Sequence, residues 1–429
     1  MATTRLDWVR GDATGLQIPA HGAALEAGGV GFLTQAFRAF GALPSDNAVA
    51  RIDRVEPCPG GSTGHKFFLT LTYEKPDPTL HTELFVKFSR DFDDAMRDWQ
   101  RTEMEPEARF ATISRLPDFP IRVPAAYFAD YEHVSGTGLV ITERIPFGQG
   151  EIEPHRRKCC DYQINDPLPY YRALITALAR LAASHRSGRL SPRIDELFPL
   201  NLARASSDPI KHSVDDLRGI IANGVAFAEK HPQLLPAELR DRAFMAQVER
   251  EAQVVREHEV AIQRYLRGDP DFIALCHWNA HIDNAWFWRE RGELRCGLID
   301  WGRVSQITFG SVLWGCLSAA HHDVIAHHLD ELLDLFGTEL REHGGPAITR
   351  EALRTHFFVH VAAMGVARVL DFPRIVLHRL PEAAHASGPT DPMFLRSDPA
   401  RNCLHIYTTF LMLWRTQDFG GVVERLLRA

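Results

Sequence analysis

One change of pattern constrains this chain more than anything else in it. Between residues 48 and 145 the sequence reads as strands, and beyond residue 145 it reads mostly as helices. "AVARIDRVEPC", "HKFFLTLTY" and "TELFVKFS" are short β-rich stretches separated by "GGST" and "KPDP". Such runs between turn residues predict strands and hairpins. The charged stretch "DDAMRDWQRTEMEPEARFATISRL" has apolar residues at helical spacing, with Pro106 marking a helix start or kink. "AAYFADYE" and "GLVITERI" then predict a further antiparallel pair, giving β-β-β-α-β-β. A sheet block followed by a helical block is an α+β pattern, not a doubly wound parallel sheet. At 429 residues the chain is too long for one small core. The expected division is a helical extension at 1–47, a small antiparallel-sheet domain at 48–145, and a larger helical domain at 146–429.

Composition removes several functional classes. The net charge of −7 gives no basic surface for nucleic acid. No apolar run reaches the length needed to cross a bilayer, and the N-terminus lacks an apolar signal core. Seven cysteines without a CxxC pair do not make a disulfide framework, so a cytoplasmic protein is expected. "HRRK" at 155–158 reads as a solvated face. Oligomeric state is not encoded in any pattern of the sequence.

Four pieces carry chemistry. "PGGSTGH" has small residues whose backbone N–H groups can approach an anion, although glycines between strands most often only close a hairpin. Lys87 lies inside the apolar strand "LFVKFS", where an ammonium is costly without a partner. Glu103 and Glu107 share one helix face, and either can reach such a lysine. Finally, "ALCHWNAHIDNAWFW" runs through the turn "ERGE" into "GLIDWG". This predicts a hairpin with Asn284 before its first strand and Asp300 just past its second. An amide oxygen and a carboxylate are hard ligands suited to Mg²⁺.

In that order, the four pieces resemble the aminoglycoside phosphotransferase and choline kinase superfamily, small-molecule relatives of the protein kinases. The family loop H-G-D-x-H-x-x-N matches at His277, His281 and Asn284, and the family's metal Asp matches at Asp300. Lys87 matches the strand Lys. Glu107 matches the helix Glu through "EARF", with Glu103 in reserve. Gly60, Gly61, Ser62 and Thr63 fall at the phosphate-covering loop, and Glu143 and Ile145 fall at the hinge that contacts adenine. The resemblance implies a bilobal protein-kinase-like fold, ATP and Mg²⁺ as cofactors, and a small hydroxyl-bearing molecule as acceptor.

Two departures from the family stand out, one in the loop and one in the helix after the metal Asp. Its catalytic Asp is Asn279 here, and the Gly before it is Trp278. The helix after the metal Asp, "GSVLWGCLSAA", lacks the acid that braces the loop. A neutral amide accepts a hydrogen bond but does not serve as a base. Asp283 and then His281 are the candidates to replace it. Three readings follow: a kinase with an altered base, a pseudokinase that binds nucleotide or a small ligand without turnover, and a non-catalytic helical interaction protein. His321, His322, His327 and His328 lack the spacing of helix-borne metal ligands and read as ordinary helix and surface residues.

Overall fold

The structure, a computed structural model, describes residues 6–58 and 64–428. It divides into two compact units. The first contains Met1–Ile152 together with Glu196–Phe198 and Gly297–Val304; the second contains the remainder.

The first unit is built on a five-stranded antiparallel sheet. A small ribbon, β1 (Trp8–Arg10) with β2 (Gln17–Pro19), and helix α1 (Gly22–Ala39) precede it. The sheet strands are β3 (Val49–Pro57), β4 (Lys66–Tyr73), β5 (Glu83–Phe88), β6 (Ala126–Glu132) and β7 (Thr137–Glu143), in spatial order β3-β4-β5-β7-β6. Helices α2 (Arg97–Gln100) and α3 (Met104–Ile113) lie between β5 and β6. The expected β-β-β-α-β-β order is present, with the helical stretch divided in two.

Alternation along the strands gives the sheet two different faces. Leu69, Leu71, Leu84, Val86, Phe88, Leu139 and Ile141 form one core with Leu25, Leu33 and Phe37 of α1. Residues 6–47, read from the sequence as an extension, therefore belong to the sheet's own core. The glycine-rich part of α1 is kinked where Gly29 takes φ 56°. On the opposite face, Met104, Ala108 and Ala111 of α3 pack on Ala126, Ala129, Tyr131 and Val140. That face also carries Lys66 and Phe68 of β4 and Phe85 and Lys87 of β5.

The second unit is mainly helical. The run at 169–188 reads in the sequence as a helix ending at Gly188; helix α4 (Leu168–Arg186) stops at Ser187, and Gly188 follows at φ 72°. Residues 237–266 read as one long charged helix. They form a 3₁₀ turn and two helices, Arg242–Glu257 and Glu259–Gly268, separated at His258 (φ −104°, ψ 17°). Two amphipathic faces with no cap signal between them concealed that break. Strand β8 (Ile273–Cys276) leads to the candidate loop. Then come β9 (Ala285–Glu290) and β10 (Glu293–Leu298), a hairpin closed by Arg291 and Gly292 at φ 52° and 85°. Two positive φ values are what a two-residue hairpin turn needs to match strand twist. Strand β11 (Ser305–Thr308) returns antiparallel to β8. Among the described residues, no helix is long and apolar enough to cross a membrane.

Candidate functional site

Lys87 is the centre of the first unit's polar cluster. Strand alternation sends it to the α3 face, where it is 2% exposed. Its Nζ lies 2.6 Å from Glu107 Oε2 and 2.8 Å from Asp300 Oδ1. Burial pulls the ammonium toward its neutral form, but Asp300 and Glu107 outweigh that, and Lys87 is held above its ordinary pKa. Burial pushes the Glu107 carboxyl up against the pull of Lys87, and the second carboxylate, Asp300, adds to the rise. Two carboxylates thus share one ammonium.

Glu107, rather than the reserve Glu103, meets Lys87. Glu103 instead pairs with Arg303 at 2.5 Å. Asp300 reaches the cluster because its segment is pinned from several sides. Leu298 N–H donates to Arg122 O at 3.0 Å, and Trp301 Nε1–H donates to Leu298 O at 3.0 Å. The Trp301 ring stacks on Phe110 of α3 at 3.7 Å, worth about 0.5–1.5 kcal/mol beyond its buried area. The expectation that Asp300 belongs to the helical domain is corrected by these anchors, which place residues 297–304 in the sheet unit. Asp300 and Arg303 both take left-handed backbone angles, φ 62° and 65°. Such angles cost a non-glycine residue on the order of 1 kcal/mol and concentrate at functional sites. The Asp300 side chain remains 42% exposed, so its carboxylate is open to a ligand as well as to Lys87.

Gly60, Gly61, Ser62 and Thr63 lie outside the described residues. Gly64, just after them, takes φ 62°, and a Cβ there would sit 1.8 Å from Phe88 O. Only glycine fits that approach. At the end of β7, the Glu143 carboxylate is engaged by His81 Nε2 at 2.7 Å and its N–H by Ala125 O at 2.8 Å. Ile145 O accepts from Phe147 N at 3.0 Å.

In the second unit the loop after β8 folds around one carbonyl. Asn279 O accepts His281 N–H at 2.7 Å and Asn284 Nδ2–H at 2.9 Å. His277 is buried, and its Nδ1 accepts Asn279 N–H at 3.2 Å. His281 is buried too, with Nε2 3.0 Å from Ser318 Oγ. Burial, then Lys158, His277 and His405, hold His281 well below the usual imidazole range. It is neutral at physiological pH and packed as a brace. Asp283 is half-buried in the 3₁₀ turn Ile282–Asn284, and its backbone carbonyl accepts from His155 Nε2 at 2.8 Å. "HRRK" is therefore partly tied down rather than solvated throughout; Arg156 also pairs with Glu153 at 2.6 Å.

Asn279 Oδ1 is buried and has no hydrogen-bond partner among the described residues. An orphaned buried acceptor costs about 1–3 kcal/mol, and a hydroxyl would satisfy it. Trp278 beside it is 40% exposed.

Three contributors escaped the sequence reading. Ser318 places its Oγ against His281 Nε2. Gly315, on helix Phe309–Leu317, lets that helix approach the loop, since a Cβ there would sit 1.9 Å from Trp278 O. Lys66 lies directly across the strand pair from Lys87. The glycine in "LWGC" was a visible signal for a close approach; Lys66 and Ser318 had none without register and packing.

No protein-family model and no curated protein matches the chain in sequence. Among solved structures it is similar to a choline kinase from Cryptosporidium parvum Iowa II, at 11% identity and TM-score 0.45, covering 91% of this chain and 96% of that one. A choline/ethanolamine kinase family protein from Mesorhizobium loti gives 16% identity and TM-score 0.39, covering 92% and 99%. A microcompartment-associated aminopropanol kinase gives 13% identity and TM-score 0.42, covering 90% and 98%. What the site can do is decided by its side chains, not by these likenesses.

Proposed function

We propose that the chain is an ATP-dependent phosphotransferase of protein-kinase-like fold, acting on a hydroxyl of a small molecule, with the acceptor end of its chemistry altered at Asn279. The observation that carries this reading is Lys87, buried between Glu107 and Asp300 at 2.6 and 2.8 Å. A buried ammonium ordered by one carboxylate and facing a second, exposed one is suited to gripping a polyphosphate beside a metal ion.

In this reading Glu107 orients Lys87 toward the phosphates. Asp300 and Asn284 are the residues that would hold Mg²⁺, since each offers an oxygen donor fit for a hard cation. When bound, Mg²⁺ would neutralise phosphate charge. The main chain around Glu143 and Ile145 receives the adenine; Gly60, Gly61, Ser62 and Thr63, outside the described residues, stay the sequence's candidates for the phosphate-covering loop. Phosphoryl transfer through a loose transition state depends mainly on position and charge, so none of these roles needs residue 279.

Asn279 Oδ1, an unpaired acceptor, aims the attacking hydroxyl. Its amide takes up no proton, and losing a general base costs about 10²–10⁴ in rate. Asp283 is the candidate that receives the proton. His277 and His281 hold the loop; His281, buried with its Nε2 against Ser318 Oγ, is a brace rather than a base. The neutral amide at Asn279 also favours a second reading, a pseudokinase that keeps the nucleotide contacts and has lost turnover. Seven free cysteines accord with a reducing, cytoplasmic setting.

The deciding experiment is calorimetry with Mg·ATP at millimolar concentration, followed by a panel of amino alcohols, amino sugars and nucleosides screened for ATP consumption. Heat of binding with acceptor-dependent ATP loss, absent in Asp300→Ala, is the expected result. Binding without turnover on any acceptor selects the pseudokinase. Neither heat nor thermal shift overturns both.

A further inference from the structure

We propose that His321, His322 and Asp323 form a binding site for a divalent cation of the zinc class, at the start of the helix His322–Glu342. The site lies wholly in the helical unit and does not depend on the phosphotransferase reading.

The helix spacing that set these histidines aside in the sequence does not apply to His321. It stands outside the helix as its N-cap, with extended backbone angles of φ −60° and ψ 139°. The chain turns there, so consecutive side chains converge instead of fanning around a helix axis. His321 Nδ1 is 3.4 Å from Asp323 Oδ2, and His322 Nε2 is 3.5 Å from Asp323 Oδ1. One carboxylate thus faces two imidazole nitrogens, one with each oxygen. Both separations exceed the roughly 2.7–3.2 Å of a good N–H···O hydrogen bond. They match a shared ion instead: metal bonds of about 2.0–2.2 Å at tetrahedral angles hold their donor atoms about 3.3–3.6 Å apart. His321 and His322 are half-buried and Asp323 is exposed, so an ion has a way in. His327 and His328, one turn further on, are engaged within the helix, by Asp323 O at 2.8 Å and Glu331 Oε2 at 3.2 Å.

A second observation points to a cation. Asp161 is 1% exposed. Its Oδ2 accepts His321 N–H at 2.8 Å and Tyr171 O–H at 2.7 Å, while its Oδ1 has no hydrogen-bond partner among the described residues. A buried carboxylate with one oxygen unsatisfied is costly until positive charge comes near. The positive end of the helix, about half a charge, opposes a cation, but two carboxylates stand against it. The segment is also held in place beforehand: Ala320 O lies 2.8 Å from His405 Nε2 and accepts Thr409 Oγ1–H at 3.1 Å. Ligands ordered before the ion arrives lose little freedom on binding it. Two nitrogens and a carboxylate suit Zn²⁺, whereas Mg²⁺ and Ca²⁺ favour oxygen ligands throughout.

The test titrates Zn²⁺ into the chelator-treated full chain by calorimetry, in wild type, His322→Gln, Asp323→Asn and the control His327→Gln with His328→Gln. Both single variants keep the His321 cap, and circular dichroism of the ion-free proteins checks that they fold. The chain has 21 histidines, so the readout is the loss of one tight site rather than of all zinc binding. Each single variant is expected to weaken that site by more than the roughly 10–100-fold cost of losing even an outer partner of a metal ligand. The control is expected to bind as wild type does. Co²⁺ in place of Zn²⁺ is expected to give visible absorption bands of a four-coordinate ion in wild type and to lose them in both single variants. Absence of a tight site in wild type, equal affinity in His322→Gln and Asp323→Asn, or displacement of Zn²⁺ by Mg²⁺ at the same concentration overturns the proposal.

Discussion

In the sheet unit, the buried Lys87 ammonium has two carboxylates within 2.8 Å; in the helical unit, the buried Asn279 carboxamide oxygen has no partner among the described residues. A fold can store a buried charge only when the charge is compensated, so the first cluster is complete without any ligand. A neutral acceptor costs far less to leave unpaired, so the second can wait for a hydroxyl. The two regions therefore respond differently to substitution. Changes in the first cluster should alter both stability and nucleotide binding. Changes at Asn279 should alter turnover alone.

The largest effect is expected at Lys87. Lys87→Met leaves Glu107 buried without its cation, and breaking a buried pair from one side costs about 3–5 kcal/mol. Urea denaturation checks this, and a loss below 1 kcal/mol would show that the pair is not truly desolvated. Next comes Asp300→Ala. It keeps the Lys87–Glu107 pair, so the protein should remain folded while any ATP-dependent activity falls by about 10²–10³-fold or more, the cost of losing one charge-stabilising group. Steady-state assays alongside circular dichroism separate the two effects. Gly315→Ala drives a Cβ toward Trp278 O and should cost about 1–3 kcal/mol while disturbing the loop. An unperturbed Gly315→Ala would mean the helix does not press on the loop.

A pH dependence in the helical unit gives an effect spread over a range of conditions rather than tied to one substitution. Burial lowers His356 to about 4, and burial then His356 lower His360 to about 3. Unfolded histidines titrate near pH 6.5. Between those values the unfolded chain holds more protons than the folded one, so stability rises with pH and is lost as pH falls from about 6.5 toward 4. Denaturation at pH 5 should take up about two protons through these two residues. His356→Gln with His360→Gln should reduce the slope between pH 6.5 and 5 by about two protons' worth, leaving the part due to other buried histidines such as His185; an unchanged slope would place the lability elsewhere.

How much was legible in the sequence depended on range. The five sheet strands were readable because alternation is local, and α4 because its stop at Gly188 is local. Lys87 declared itself as a charge in an apolar strand. Which glutamate met it was decided by α3 packing that the sequence does not contain. Asp300 was assigned to the helical domain because it follows the hairpin, whereas Trp301 stacked on Phe110 ties its segment to the sheet unit. Lys66 was invisible because cross-strand register depends on turn length. The missing acid after Asp300 left the loop's support open, and a hydroxyl thirty-seven residues from His281 in sequence supplies part of it.

The most direct test of the central claim is calorimetric titration of Mg·ATP into wild type and Asn279→Asp, with acceptor-dependent turnover measured on the same samples. The account predicts equal nucleotide affinity in the two proteins, with turnover preserved or raised in the Asp variant. Absence of binding heat in both proteins, or a measurable wild-type activity abolished by Asn279→Asp, would contradict it.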